Sequence, residues 1–312
     1  MPVNAEEMIS ALRQVAPDLL RWSGAIAKKM RTFNIALEGK HSGNANTDAL
    51  TLADLTVQEL VIAGLRDRAP VLRQCRIEAE ESNGDLQAFV AESPLSIALD
   101  PIDGTKYFKE KTSNGYAVML HLRTVDEVLY SLVYAPEDGP TGSWTQAFGD
   151  CVQTGPDDLT CPANECLARL PVMRPETRPD SRKIYLIGFQ QNDAANARKV
   201  TAAGLEGVAP DDMPGSIYPL LASGEFGGSL IHTPNIYDYP VAMHLACLLG
   251  GDSVWVHNGQ RVNFSETWMD DRADMLRLPG IVATADSQEK LQILCDLARD
   301  WNPNRYSDHQ PG

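Results

Sequence analysis

Two carboxylates set either side of a short turn, in Asp100-Pro101-Ile102-Asp103-Gly104-Thr105, are the residues of this chain best suited to chemistry. The apolar run 95–99 before them reads as a buried strand. Proline cannot donate to a ladder, so the pattern predicts that the strand ends at Asp100 and the chain turns. Gly104 permits a tight or left-handed bend, which lets Asp100 and Asp103 converge above the strand end. Carboxylates brought together repel unless a cation lies between them. A hard divalent ion such as Mg²⁺ takes such oxygens, including a backbone carbonyl like that of Ile102, and commonly shares its shell with phosphate. If a helical turn starts near Gly104, the amides of Gly104, Thr105 and Lys106 face outward as donors to a phosphoryl group. Taken alone, Asp-Pro-x-Asp-Gly is equally an ordinary surface turn.

The elements that must position these residues are legible around them. Residues 5–31 read as a helix that Pro17 is expected to break or kink. Residues 39–47 have a loop's composition. A helix is expected to open at Asp48 and run to about residue 68, with Asp54 in its first turn, where the helix dipole favours an acid. The run 76–82 looks like a strand delivering Glu80 and Glu81 at its end, and Glu78, on the same side as Glu80, reads as a surface charge. Lys106, Lys109 and Lys111 make a basic run whose commoner meaning is a solvated face. Residues 115–122 and 128–134 suggest an antiparallel hairpin. The stretch 136–179, rich in Pro, Gly, Asp and Thr, puts a domain boundary near 180, giving units 1–180 and 181–312. In the second unit, strand 183–189 followed by helix 194–205 suggests α/β structure. A helix opens at Ser216, a strand covers 229–232, and Asp238 caps a helix over 239–249 that Gly250-Gly251 ends. His232, His244 and His257 show no ligand spacing.

Composition excludes several classes. Among 312 residues, 27 Lys and Arg stand against 42 Asp and Glu, a formal charge of −15 that disfavours a nucleic-acid polymer or an anionic membrane as partner. No apolar run reaches the roughly 20 residues that cross a bilayer. The N-terminus lacks a basic and apolar leader, so a cytoplasmic protein is expected. The six cysteines include no C-x-x-C pair, and Cys151, Cys161 and Cys166, loosely grouped, lack a fourth metal ligand; reduced thiols are expected. No G-x-S-x-G elbow supports a serine hydrolase.

The set Ala79-Glu80-Glu81-Ser82, Asp100-Pro101-Ile102-Asp103-Gly104-Thr105 and Ile236-Tyr237-Asp238, in that order, resembles the inositol monophosphatase family, whose superfamily also holds fructose-1,6-bisphosphatases and 3'(2'),5'-bisphosphate nucleotidases. The resemblance implies a layered αβαβα sandwich and a Mg²⁺-dependent phosphomonoesterase using two or three ions, with Mn²⁺ as an alternative. It assigns Glu80, Asp100, Ile102 (through its carbonyl), Asp103 and Asp238 to the metals. Asp54 with Thr105 would orient and deprotonate water, and Glu81 would help hold a further ion or its water. Gly104, Thr105, Lys106 and Ser216 would contact substrate. The two residues between Asp100 and Asp103 differ from the Asp-x-Asp of haloacid dehalogenase phosphatases and argue for metal ligation over a phosphoenzyme. The expected substrate is a small phosphorylated metabolite, an inositol or sugar phosphate. The alternatives are 3'-phosphoadenosine 5'-phosphate, which Thr105-Lys106 favours and the lack of a basic residue beyond Ser216 disfavours, and a phosphate-binding or regulatory protein without turnover. Tyr237 stands where the family usually has Trp. Lithium inhibition and a homodimer are further implications of the resemblance.

Overall fold

Apolar residues at helical spacing (Met8, Leu12, Val15, Leu19, Leu20 and Ala27, all buried) explain the first helix, α1 (Ala5–Arg31). Asn4 caps it by accepting from the Glu6 amide, and Lys28, Lys29 and Arg31 close it, as the helix dipole favours. It runs through Pro17 without the expected break. Pro17 is itself buried in the packing of α1 against the rest of the core, which offsets the one backbone bond that proline removes. In this computed structural model, residues 3–33, 35–37 and 50–306 are described. The expected loop 39–47 lies outside the described residues, and the helix expected to open at Asp48 starts instead at Leu52, because Thr51 is extended and caps it.

The second helix, α2 (Leu52–Arg68), packs antiparallel-neighbour fashion on α1. Next come β1 (Arg76–Ala79), β2 (Ser96–Asp103), α3 (Thr105–Glu110), β3 (Ala117–Arg123), β4 (Val128–Ala135), β5 (Ser143–Phe148), β6 (Cys151–Pro156), α4 (Ala163–Arg169) and β7 (Val172–Met173). The chain continues with β8 (Lys183–Ile187), α5 (Asp193–Ala202), β9 (Glu206–Val208), α6 (Ile217–Ser223), β10 (Gly228–His232) and α7 (Tyr239–Leu248). It finishes with β11 (Asp252–Trp255), β12 (Trp268–Asp270), β13 (Met275–Arg277), β14 (Ile281–Ala285) and α8 (Gln288–Ala298). Strands β1 to β7 form one sheet in chain order, parallel at β1/β2 and antiparallel elsewhere. A second sheet has the order β11-β14-β10-β8-β9, and β12 and β13 pair separately.

Strand parity builds the layers. On β3 and β4, Val118, Leu120, Leu122, Tyr130 and Leu132 join the core beneath α1 and α2, while Ala117, Met119, Val133 and Ala135 face α6 and α7. The other side of α7, with Tyr239 and Met243, packs against Trp255 and Val282 of the second sheet. The far face of that sheet buries Ile184, Leu186, Leu230 and Ala283 against α5 and α8. The succession is helices, sheet, helices, sheet, helices: the layered sandwich expected.

Glu78 is not the surface charge expected of it. It is buried, and its Oε2 accepts from Arg123 at 2.5 Å while Arg76 pairs with Oε1. The β1/β3 side of the sheet is thereby fastened by ion pairs, because strand alternation turns residue 78 inward.

Arg31, at the end of α1, clamps the segment that follows the Asp-Pro-x-Asp turn. Its guanidinium donates to the carbonyls of Phe108 (3.1 Å), Tyr107 (3.0 Å) and Ser113 (2.6 Å), to Asn114 Oδ1 (2.9 Å) and to the Glu137 carboxylate. Arg31→Ala leaves the buried Phe108 carbonyl without its donor and the half-buried Glu137 carboxylate without its cation, and should cost about 3 kcal/mol or more in a denaturant titration; a loss below about 1 kcal/mol would mean the clamp is not structural.

Candidate active site

β2 does not stop at Asp100; it runs on to Asp103. The β2/β3 register passes from Asp100↔Met119 to Asp103↔Ala117, so three steps on β2 match two on β3, and Pro101 sits in the resulting bulge, where its missing amide costs the ladder nothing. The bulge is what turns both acids to one side. Gly104 follows at φ 79° and opens the short helix α3, as its freedom from a Cβ allows. Its amide lies against the Asp103 carboxylate and favours the ionised form there, against the larger effect of burial.

Asp238 reaches the same point from the other half of the chain. It occupies the N-cap position of α7 but makes no capping bond with its side chain. Asn235 Oδ1 accepts from the amides of Tyr237 (2.8 Å) and Asp238 (3.0 Å), fixing the turn that aims Asp238 at the acids of β2. Carboxylate oxygens of Asp100, Asp103 and Asp238 lie within 4.8 Å of one another. Glu80 is outside this tight group but lines the same cavity and bonds Asp100. Ile102, whose carbonyl was expected to join the ligands, lines the cavity too, and that carbonyl accepts from Thr105 Oγ1 at 2.7 Å. A carbonyl has two lone pairs, so one remains.

The residues fit a divalent cation by two tests. Asp100 Oδ1 is buried without a hydrogen-bond partner, a costly condition that a cation relieves. The protonation of the group agrees. Burial, then the charge of Glu80, Asp103 and Asp238, pushes Asp100 well above the usual carboxylate range. Burial and then Asp238 and Glu80 do the same to Asp103. Asp238 is raised to about 6, by burial first and then Glu80.

The second group of predicted residues stands beside this one. The Thr51 amide (2.7 Å) and hydroxyl (2.6 Å) donate to Asp54 Oδ2, in a capping box at the start of α2. Asp54 Oδ1 lies 3.2 Å from Thr105 Oγ1. Burial, reinforced by Glu80 and Glu81 and opposed by the Thr51 bonds, raises Asp54 to about 7. Glu81 is buried, and its backbone exchanges bonds with the Gln58 amide group (2.6 and 3.0 Å), which sets where β1 delivers both glutamates. Lys106 lines the cavity and pairs with Asp211 at 3.1 Å. Ser216 also lines it, its Oγ buried and unpartnered. A close approach brings Ser216 in: a Cβ on Gly115 would lie 2.6 Å from the carbonyl carbon of Gly215.

These raised carboxyls carry a pH signature. Their folded pKa values exceed the ordinary 3.8, so their contribution to stability is complete below about pH 4 and is lost as pH rises through 6 and 7. Bound divalent cations offset that loss. The rise in melting temperature on adding Mg²⁺ to chelated protein should therefore be small near about pH 5 and grow towards about pH 8; an increment that does not change with pH would contradict it.

Sequence patterns gave no sign of several wall residues. Tyr185 and Ile187 of β8 line the cavity because parity turns them away from Ile184 and Leu186, which fill the core of the second sheet. Tyr218, Met213, Met275, His232, Arg277 and Arg305 line it as well. Only the alternation of 183–187 offered a signal, since the others come from helix α6, the end of β10, the short strand β13 and loops, far apart in the chain.

The chain is similar to several solved structures. These include the extragenic suppressor protein SuhB of Bartonella henselae (16% identity, 93% of this chain and 99% of that one, TM-score 0.63) and an inositol monophosphatase of Anabaena (Nostoc) sp. PCC 7120 (16%, 94% and 97%, 0.62). CysQ of Bacteroides thetaiotaomicron, described as a bacterial member of the inositol monophosphatase family, matches at 16% identity over 88% of this chain and 97% of that one, with a TM-score of 0.58. No curated protein matches significantly by sequence. The model of the inositol monophosphatase family matches residues 8–239, a span that takes in α2, the β1 end, the β2 bulge and Asp238. This chain belongs to the inositol monophosphatase family.

Proposed function

We propose that the protein is a Mg²⁺-dependent phosphomonoesterase acting on a small phosphorylated metabolite, an inositol or sugar phosphate, with water as the attacking group. The observation that carries this reading is the convergence of Asp100, Asp103 and Asp238 within 4.8 Å, with Asp100 Oδ1 buried and unpartnered. Glu80, Asp100, Asp103, Asp238 and the Ile102 carbonyl would hold Mg²⁺. When bound there, divalent cations supply Lewis acidity to a phosphoryl oxygen and make a water more acidic.

The chain's own residues do the rest. Thr105 Oγ1 has one proton and two acceptors in reach, the Ile102 carbonyl at 2.7 Å and Asp54 at 3.2 Å. Donating that proton to Asp54 leaves a lone pair on Thr105 to take one from water. Asp54, held on its other oxygen by Thr51, is pushed up to about 7 in the metal-free chain, chiefly by burial, and a buried carboxylate so raised is the more basic group that proton abstraction calls for. Ser216 offers a buried hydroxyl, and Lys106 a cation, to the bound ester. The protein's charge of −15 repels a phosphate ester, so substrate binding should need the metal.

The test is phosphate release from inositol 1-phosphate, fructose 1,6-bisphosphate and 3'-phosphoadenosine 5'-phosphate, with Mg²⁺ and with chelator. Mg²⁺-dependent release from one of them supports the reading. Binding without release from any of them would favour a regulatory protein of the same fold. Lithium inhibition, a homodimer and a cytoplasmic location are further parts of the proposal; among the described residues no helix is long and apolar enough to cross a membrane.

A further inference from the structure

At the mouth of the cavity that holds Asp100, Asp103 and Asp238, one wall residue is tied to a group outside it. Lys106, in the first turn of α3, lines the cavity, and its side chain is 20% exposed. Its Nζ donates to Asp211 Oδ1 at 3.1 Å. Asp211 is no part of the cavity wall, and its side chain is 81% exposed. Among the described residues it is the one carboxylate within ion-pair distance of Lys106. The helix does not account for the lysine, because its dipole favours an acid rather than a cation in the first turn.

The backbone holds Asp211 in place. Residues 209–216 form a strap from β9 to α6. Pro210 is buried and opens a turn of 3-10 helix, Pro210–Asp212, after which the Met213 amide donates to the Pro210 carbonyl (3.2 Å). The same carbonyl accepts from the hydroxyl of Tyr107, the residue next to Lys106, at 2.5 Å. At the other end of the strap, Gly215 lies so close to Gly115 that a Cβ on Gly115 would come within 2.6 Å of its carbonyl carbon. Both ends are thus fixed to the first half of the chain, and Met213 and Ser216 enter the cavity wall. These neutral contacts, rather than the ion pair, present Asp211 to Lys106.

The pair itself is easily exchanged. An ion pair whose acid is this exposed shifts an equilibrium by no more than about fivefold. A phosphate ester offers the ammonium more charge and several acceptor oxygens, in a mouth with less water to compete. Asp193 stands near the pair and is occupied elsewhere: its Oδ1 accepts from the Phe189 amide (2.8 Å). Burial raises its carboxyl to about 6, opposed by the Phe189 amide and Arg305, with Asp211 adding to the rise and Lys106 to the opposition.

We infer that Asp211 is a latch on Lys106: it holds the ammonium at the cavity mouth, an entering phosphate ester takes the ammonium over, and Asp211 sets substrate affinity by competing for it. The inference rests on the phosphomonoesterase reading and adds a residue that governs affinity at that site. Asp211 acts through Lys106 and touches no reacting atom, so its substitution should move KM and leave kcat alone.

The test uses Asp211→Asn, Lys106→Gln, the double variant and Asp211→Glu, all with Mg²⁺ and at low salt, about 50 mM, where exposed charges are least screened. Affinity is read by calorimetric titration with inorganic phosphate, and KM and kcat with inositol 1-phosphate. Asp211→Asn should bind phosphate about threefold tighter and lower KM by a similar factor, with kcat unchanged within about 1.5-fold. In the Lys106→Gln background the same substitution should change affinity by less than about 1.5-fold, and Asp211→Glu should stay at the wild-type value. Affinity that is unchanged or weaker in Asp211→Asn, or a gain of equal size without Lys106, would overturn the latch, as would phosphate that binds neither wild type nor Asp211→Asn. If no ester releases phosphate, the phosphatase reading fails, and the phosphate titrations still decide the latch.

Discussion

Asp100→Asn should abolish Mg²⁺-dependent phosphate release and at the same time stabilise the metal-free protein at about pH 8. The two effects have one cause. Burial and the charges of Glu80, Asp103 and Asp238 oppose ionisation of Asp100, so removing its charge relieves repulsion whenever no cation is there to do so. The melting temperature of chelated protein should rise by a few degrees, the size expected for about 1 kcal/mol in a chain of this length. The same change removes a cation ligand, and a metal that contributes several kcal/mol to the transition state implies a loss of about 1,000-fold or more in kcat/KM. Damage to the fold would lower both stability and activity. Opposite signs therefore identify a site built for a cation.

Thr105→Ala and Asp54→Asn should each lower kcat by about 100-fold or more while Mg²⁺ binding, read by calorimetry, stays close to wild type. Their separation of 3.2 Å makes them one relay, so the double variant should lose little beyond either single one. Additive losses in the double variant would mean that the two residues act separately. Asp54→Asn keeps an oxygen for the Thr51 capping bonds, which guards against a helix-start defect.

How much of this was written in the sequence depended on distance along the chain. Asp100, Asp103 and Gly104 are neighbours, and turn chemistry alone brought them together; the strand was expected to end at Asp100, yet the bulge at Pro101 carries it to Asp103. Bulges depend on the partner strand and leave little mark in one segment's pattern. Asp238 was legible locally as a helix cap, but only resemblance joined it to residues so far away, and the structure then showed its side chain turned from capping towards the acids of β2. Pro17 was misread because propensity carries no account of the packing that holds α1 together. Glu78 was misread because its partners, Arg76 and Arg123, lie on and across the sheet. Arg277 and Arg305 follow no motif and are placed by tertiary contacts with Asp270 and Thr233.

The most direct test of the account is a calorimetric titration of chelated protein with Mn²⁺ at about pH 8, with and without inorganic phosphate. Saturable binding that phosphate tightens, and that disappears in an Asp100→Asn, Asp238→Asn double variant, is the predicted result. No saturable binding, or binding that the double variant retains in full, would contradict it.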